Sequence, residues 1–378
     1  MPEARLDALT VHDFRNIAHA EIPFPREGIA VVGENGHGKT NLIEAIAYLR
    51  LMRSMRGARD RDLLRHGAAA FHISAECSGT DVHRITAAVD KAGRKKVTVD
   101  GGIPEKLTDA LDSLPSVSFS PRDVDLIAGS PAERRRYLDI TLALTSAPYL
   151  NALRHYRGAL ARRNAALRDA ARGSRATAGS VAAWEPALAE HGAVLVSERR
   201  AWVRARADEF RSQCAAIGER AAATLAYSSG VVLAEQDDAA SARAALTAQL
   251  ERQRDHDLRR GITHAGPHRD DLVLDLDGHD LRTVGSAGQQ RTAAIVLRML
   301  ESATHRDATG VTPVLLLDDP FAELDRRRTG RILGLLDEAG LGQCVLCVPR
   351  ADEIPPQFTR LERWRVADGA FSRGGAGE

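Results

Sequence analysis

The clearest chemistry in the chain lies in eight consecutive residues, Gly33-Glu34-Asn35-Gly36-His37-Gly38-Lys39-Thr40, an unbroken G-x-x-x-x-G-K-T run. Glycines at this spacing let successive backbone N–H groups turn inward around phosphate oxygens. The lysine that closes the run neutralises β- and γ-phosphates, and the hydroxyl after it is a magnesium ligand. The run lies between a short apolar stretch, residues 28–33, and a segment of good helix formers beginning at Asn41. It therefore opens a helix, whose N-terminal partial charge also favours anions. A glycine-rich turn with a chance lysine is a poor competitor, because lysine supplies only five of the 52 basic residues. Such a site needs a carboxylate at the end of a second strand. Val314-Leu315-Leu316-Leu317 followed by Asp318-Asp319 offers two. Asp318 is expected to share a Mg²⁺ ion with Thr40, and Asp319 to polarise an attacking water. Lys39, Asp318 and Asp319 are thus the candidate catalytic residues, with ATP and Mg²⁺ as the implied cofactors.

These residues need strands and helices to hold them. Near-alternate apolar positions predict strands over 5–12 and 17–24, and 28–33 reads as a short buried strand. A helix is expected from about Lys39 to Arg53, then strands near 70–78, 82–90 and 95–99. From Ser130 to Tyr227 the pattern is helical and rich in alanine, arginine and leucine, with a glycine-serine loop over 173–180. A further helix over 239–260 precedes strands at 271–276, 313–317, 343–348 and 362–367. The outer thirds thus read as one α/β unit interrupted by a helical insert. The expected divisions are 1–129 and 261–378 for the two parts of the head, and 130–260 for the arm. No apolar run reaches the length of a membrane span, four cysteines in 378 residues are no disulfide framework, and a cytoplasmic location is expected. The 52 basic and 51 acidic residues nearly cancel, so any nucleic-acid binding must come from local asymmetry.

Lys39 and Asp318 lie 279 positions apart. Small GTPases and nucleotide kinases close their sites over much shorter spans, whereas a long insert between the halves is the plan of ABC-type chromosome-maintenance ATPases. That class carries a serine-glycine signature ahead of the carboxylate strand, matched here by Gly285-Ser286-Ala287-Gly288-Gln289 and an apolar helix. Ala322-Glu323-Leu324-Asp325 stands where the class places a loop at the dimer interface. The chain most closely resembles the RecF family of bacterial recombination-mediator ATPases. Co-linear segments carry the resemblance: Phe14-Arg15-Asn16, Phe119-Ser120-Pro121, Gly129-Ser130-Pro131 with Arg134 to Asp139, Arg163 to Leu167, Gly266-Pro267-His268-Arg269-Asp270-Asp271, and Leu317-Asp318-Asp319. It implies an ABC-type P-loop head, α/β and split by insertion, with a helical arm resembling a truncated Rad50 or SMC coiled coil. It further implies an ATP-dependent homodimer in which Ser286, with Ala287, Gly288 and Gln289, faces the partner's nucleotide in trans. Arg15 and Asn16 would lie near the α-phosphate and base, and Asp325 at the dimer contact. The implied role is binding of double-stranded and gapped DNA, cooperation with RecR and RecO in loading RecA, and support of replication restart and SOS induction.

Three positions depart from the class pattern. No glutamine occurs from 41 to 212, where a γ-phosphate sensor is expected, leaving Ser120 as the substitute. Cys347-Val348-Pro349 lacks the polar switch residue, and Asp319 is one methylene shorter than the usual glutamate. All three point to slow hydrolysis. Cys344 and Cys347 have metal-like spacing, but residues three apart on a strand face opposite ways, so they read as core thiols. His264, His268, Asp270 and Asp271 read as a structural or nucleotide-proximal block rather than a metal cluster. DNA contacts are expected from the arm, where residues 151–175 hold seven arginines, Arg154, Arg157, Arg162 and Arg163 among them, against one acid. The competing functions are an SMC- or Rad50-like head, a non-hydrolysing nucleotide-dependent scaffold, and a transporter ATPase. The insert of roughly 130 residues is too short for a long coiled coil.

Overall fold

The computed structural model describes residues 2–172, 178–232, 238–322, 324–340 and 342–374. The chain divides into two compact units, one formed by residues 1–123 with 297–378 and the other by 124–296. The second unit contains the arm expected over 130–260, and also the Gly266–Asp271 block and Ser286.

In the first unit the strand before the phosphate loop, Gly28–Val32, lies inside a six-stranded sheet. Cys344–Val348 pairs with it in parallel on one side and Glu362–Ala367 on the other. The carboxylate strand Val314–Asp318 joins beyond Cys344–Val348, followed by Ser116–Phe119, both in parallel. Ala370–Arg373 closes the far edge as the antiparallel arm of a hairpin. Every residue of Val314–Asp318 and of Cys344–Val348 is buried, as expected for parallel strands covered on both faces. A second sheet of five antiparallel strands has Arg5–Phe14 paired with Ile17–Pro23 and with Ala70–Ser78, then Arg84–Asp90 and Lys95–Val99. One apolar core joins this sheet to the helix Lys39–Leu51, with Phe14, Tyr48 and Phe71 in mutual edge contact at 5.2 to 6.4 Å.

The second unit packs the helices Ala147–Ala171, Glu185–Ile217 and Ala239–Arg260 against one another, with Pro131–Ala143 beside them. Its centre is ionic as well as apolar. Arg199 is 2% exposed and donates to Asp139 (2.7 Å), the Tyr149 hydroxyl (2.9 Å) and the Pro267 carbonyl (2.8 Å). The helical reading runs too far here: the helix stops at Ile217, with Gly218 left-handed, and Ala223–Ser228 is a strand paired antiparallel with Asp271–Leu276. Pairing to a distant strand outweighs the local helix propensity of alanine and leucine. Most of the expected loop at 173–180 lies outside the described residues. No helix among the described residues is long and apolar enough to cross a membrane.

Candidate nucleotide-binding site

The phosphate loop leads into the helix Lys39–Leu51 through Gly38, whose φ of 121° is closed to ordinary L-residues. A side chain there would also meet the Asn16 amide at 3.1 Å. Two hairpin tips border the loop. On one side is Asn16, whose amide donates to the Gly36 carbonyl (3.5 Å) and whose oxygen accepts from Asn41 (2.8 Å). On the other, Asp368 N–H donates to His37 Nδ1 (2.9 Å) and Gly369 N–H to the His37 carbonyl (2.9 Å). Gly369 is needed there because a Cβ would sit 2.3 Å from the Asn16 carbonyl oxygen. The tip at 368–369 escaped the sequence reading, although Asp-Gly between two apolar-alternating stretches signals such a turn.

An open pocket of about 480 Å³ faces the loop, lined by Asn35, Gly36, Gly38, Lys39, Thr40, Asn41, Met55, Arg56, Ser120, Pro121, Arg122, Asp318 and Asp319. The two halves of the sequence motif meet here: Thr40 Oγ1 donates to Asp318 Oδ2 at 2.8 Å. Lys39 is 5% exposed and its ammonium is held by the carbonyls of Gly33 and Glu34. Burial pushes the Asp318 carboxyl up from its ordinary value, against the pull of Thr40 and Lys39. Asp319 follows with φ 47° and its N–H on the Cys347 carbonyl (2.9 Å), a costly backbone conformation for a non-glycine residue beside the pocket. Hard oxygens at this separation, one hydroxyl and one carboxylate, suit Mg²⁺.

Arg15 lies outside the pocket lining. Its guanidinium is bidentate on Glu44, at 3.0 and 3.2 Å. Glu44 is fully buried in the loop helix and also accepts from Ser54 Oγ (2.5 Å), with Arg56 at 3.6 Å. Arg56, Arg122 and Glu44 were not singled out from sequence, since nothing local distinguishes them from other charges. Ser120 lines the pocket as expected, and its N–H donates to Asp123 (2.7 Å). Asp123 is held by Arg298 (2.7 Å), Arg298 reaches Glu301 (2.7 Å), and Glu301 accepts from Arg50 (2.8 Å). This buried chain of charges joins the pocket wall to two helices.

Ser286 is exposed, at the start of the helix Ala287–Thr309. It forms a reciprocal cap with Gln289: Gln289 N–H to Ser286 Oγ at 3.3 Å, Ser286 N–H to Gln289 Oε1 at 3.0 Å. Asp325 caps the helix Arg326–Glu338 through Arg328 N–H (2.9 Å). On the arm, Arg154, Arg157, Arg162, Arg168 and Arg172 are exposed. Four of them, without Arg162, fall within about 60° of one another around the helix. Arg157 pairs with Asp139 (2.7 Å), and Arg162 lies over the Trp184 ring at 5.1 Å. Arg163 must be withdrawn from that surface. It is 0% exposed and donates to Asp257 (2.8 Å), Glu185 (2.9 Å) and Thr263 (2.8 Å). Arg175 lies outside the described residues. All four cysteines are buried, and burial raises the Cys344 and Cys347 thiols. Each member of the expected histidine-aspartate block has a partner within the second unit: His264 is held by Asp257 (2.8 Å), His268 by Tyr156 (2.6 Å), Asp270 by Tyr227 (2.5 Å), and Asp271 by Arg134 (2.8 Å).

The family model for the RecF/RecN/SMC N-terminal domain matches residues 5–356. The DNA replication and repair protein RecF of Anaeromyxobacter dehalogenans (strain 2CP-C) is 39% identical over 340 residues, covering 88% of this chain and 89% of that protein. Its counterpart in Magnetococcus marinus is 35% identical over 97% of each chain. The structure of the recombination mediator protein RecF with ATP, from the RecFOR pathway, superposes with a TM-score of 0.89 at 26% identity, over 99% of this chain and 98% of that one. The Smc head domain of Pyrococcus furiosus shares the fold, with a TM-score of 0.56 at 18% identity over 98% and 95% of the two chains. With an ABC-type head, a helical arm and relatives matched nearly end to end, the chain belongs to the RecF family of DNA replication and repair proteins.

Proposed function

We propose that the chain is an ATP-dependent DNA-binding recombination mediator and a slow ATPase, with hydrolysis serving as a switch. The observation that carries this reading is the 2.8 Å contact between Thr40 and Asp318, 278 residues apart, beside a buried Lys39. Thr40 and Asp318 would hold Mg²⁺, which when bound would neutralise charge on the β- and γ-phosphates. The loop N–H groups and Lys39 bind and orient the triphosphate, and Asp319 positions the attacking water. Ser120 and Cys347, in place of stronger hydrogen-bonding side chains, support slow turnover, and the same observation keeps a non-hydrolysing scaffold as the second reading. Ser286, exposed at a helix N-terminus, would engage the nucleotide of a second subunit, so that ATP promotes a homodimer. That dimer would clamp duplex DNA beside single-strand gaps and, as the RecFOR setting of its relative suggests, work with RecO and RecR to load RecA in gap repair, replication restart and SOS induction.

The test is fluorescence anisotropy of a labelled gapped duplex at one fixed salt, with and without ATP and Mg²⁺. Binding that tightens with ATP in the wild type and not in Lys39→Ala is expected. Binding indifferent to ATP favours the scaffold, as does equal ATP turnover by wild type and Asp319→Asn.

A further inference from the structure

Among the described residues, one group of three potential metal ligands comes together, and it lies in the second unit: His256, Asp257 and His264, with one ligand atom of each within 4.8 Å of the others. We propose that these three side chains form a binding site for a single divalent transition-metal ion, with zinc the best match.

Two elements build it. His256 and Asp257 lie about one turn from the C-terminal end of the helix Ala239–Arg260, the end whose dipole favours a cation. Gly261, left-handed at φ 71°, turns the chain back, its N–H on the Asp257 carbonyl at 2.8 Å. That return brings His264 over the helix end, its ring centroid 4.5 Å from that of His256 at an interplanar angle of 61°.

The carboxylate is fixed from behind. Asp257 is fully buried; its Oδ2 accepts from Arg163 (2.8 Å), and Arg163 is itself tied to Thr263 and Glu185. Outer partners of this kind orient a metal-binding carboxylate. Oδ1 points toward His264, with Nδ1 at 2.8 Å and the backbone N–H at 3.1 Å. A plain aspartate–histidine hydrogen bond would account for His264 alone. It leaves unexplained the buried Nδ1 of His256, which has no hydrogen-bond partner. Two imidazoles and one carboxylate are the donor set of an open zinc site, and the side chain of His264, 33% exposed, leaves room for a solvent ligand. On binding, His264 Nδ1 turns its lone pair to the ion in place of the bond to Asp257 and the ring carries its single proton on Nε2, a change of tautomer with no net release of a proton. Nearby Arg163 and Arg254 are balanced by Asp257 and Glu185, so the ion adds net charge and the affinity expected is modest, in the micromolar range. The bound ion would pin the helix end to the segment leading into Gly266-Pro267-His268.

The test uses the full chain, chelator-treated and without nucleotide, titrated with Co²⁺ and then Zn²⁺ at pH 7.5. One equivalent should bind, giving cobalt bands in the visible without thiolate charge-transfer absorption, followed by displacement with zinc. His256→Ala and His264→Gln, the latter keeping a donor for Asp257, should each weaken binding by more than about tenfold. His19→Ala, which breaks the exposed His12–His19 contact at 3.1 Å, should leave it unchanged. Zinc should raise the melting temperature of the wild type and of His19→Ala only. Uptake well below one equivalent at micromolar metal, or unaltered binding by a folded His256→Ala/His264→Gln double variant, overturns the proposal.

Discussion

Replacing Arg298 by methionine tests whether the pocket wall is held by charge. The guanidinium donates to Asp123 at 2.7 and 3.1 Å and to Glu301 at 2.7 Å, with side-chain exposures of 19%, 10% and 3% for the three residues. Methionine keeps the apolar stem and removes the charge. Glu301 retains Arg50, whereas Asp123 keeps only the Ser120 N–H among these bonds. Breaking a fully buried pair costs about 3–5 kcal/mol, and the partial exposure here brings the expectation to about 2–4 kcal/mol. In a unit of this size that lowers the melting temperature by roughly 4–16 °C. A second effect falls on the pocket. With Asp123 no longer anchored by Arg298, the bond it keeps to the Ser120 N–H no longer fixes residues 120–122, which must be re-ordered when nucleotide binds, at about 1–2 kcal/mol for each backbone fixed, so affinity should drop at least about fivefold. Urea denaturation followed by hydrogen exchange in peptides spanning 112–123 and 297–309 measures the first effect, and a labelled ATP analogue the second. Adding Asp123→Asn removes the stranded charge and should recover much of the lost stability. Glu301 supplies a pH signature. Burial raises its carboxyl, but Arg298 and Arg50 together leave it below its ordinary value of 4.5. A depressed carboxylate stabilises the fold above that value, and the contribution is lost as pH falls through its folded pKa. The wild type should therefore lose stability more steeply in acid than Arg298→Met. A variant that melts within about 1 kcal/mol of wild type and binds nucleotide equally well would refute the argument.

Arg163→Met should destabilise the second unit by about 3–5 kcal/mol, because it strands a buried Asp257, while leaving DNA affinity unchanged at a temperature where the variant is folded; selective loss of DNA binding without loss of stability would return Arg163 to the surface. Reversing Arg154, Arg157 and Arg162 to glutamate should weaken duplex binding and flatten its salt dependence, and unchanged affinity would place the DNA contact elsewhere. Ser286→Arg should keep ATP binding and block ATP-dependent dimerisation in light scattering, and a normal dimer would refute the role in trans.

Much of the head was legible because its signals are short-range. The strands at 70–78, 95–99, 271–276 and 362–367 and the helix at 239–260 have the limits that periodicity predicts. The phosphate loop and the aspartate pair declare themselves by residue type, and the structure brings Thr40 and Asp318 into contact. What stayed hidden depends on distant partners. Ser116–Phe119 is too short to show a period, and it becomes a strand only beside Val314–Leu317. Arg163 sits in an arginine-rich run and looks like its neighbours. Its burial follows from Glu185 and Asp257, 22 and 94 residues away. The Asp123–Arg298–Glu301–Arg50 chain is invisible for the same reason, since each charge is ordinary until its partner is known.

The position of the phosphate-loop strand constrains the order in which the protein can assemble. Gly28–Val32 has Cys344–Val348 on one side and Glu362–Ala367 on the other, so both of its neighbours are translated more than 300 residues after it. At about 5–20 residues per second, that interval is roughly 15–60 s of synthesis. During it, an apolar strand and the loop it carries have no sheet to join, whereas residues 124–296 form a continuous segment that can complete first. Nucleotide can therefore stabilise the head only after nearly the whole chain has emerged, and a nascent chain stopped before residue 344 should have a folded arm and no affinity for ATP.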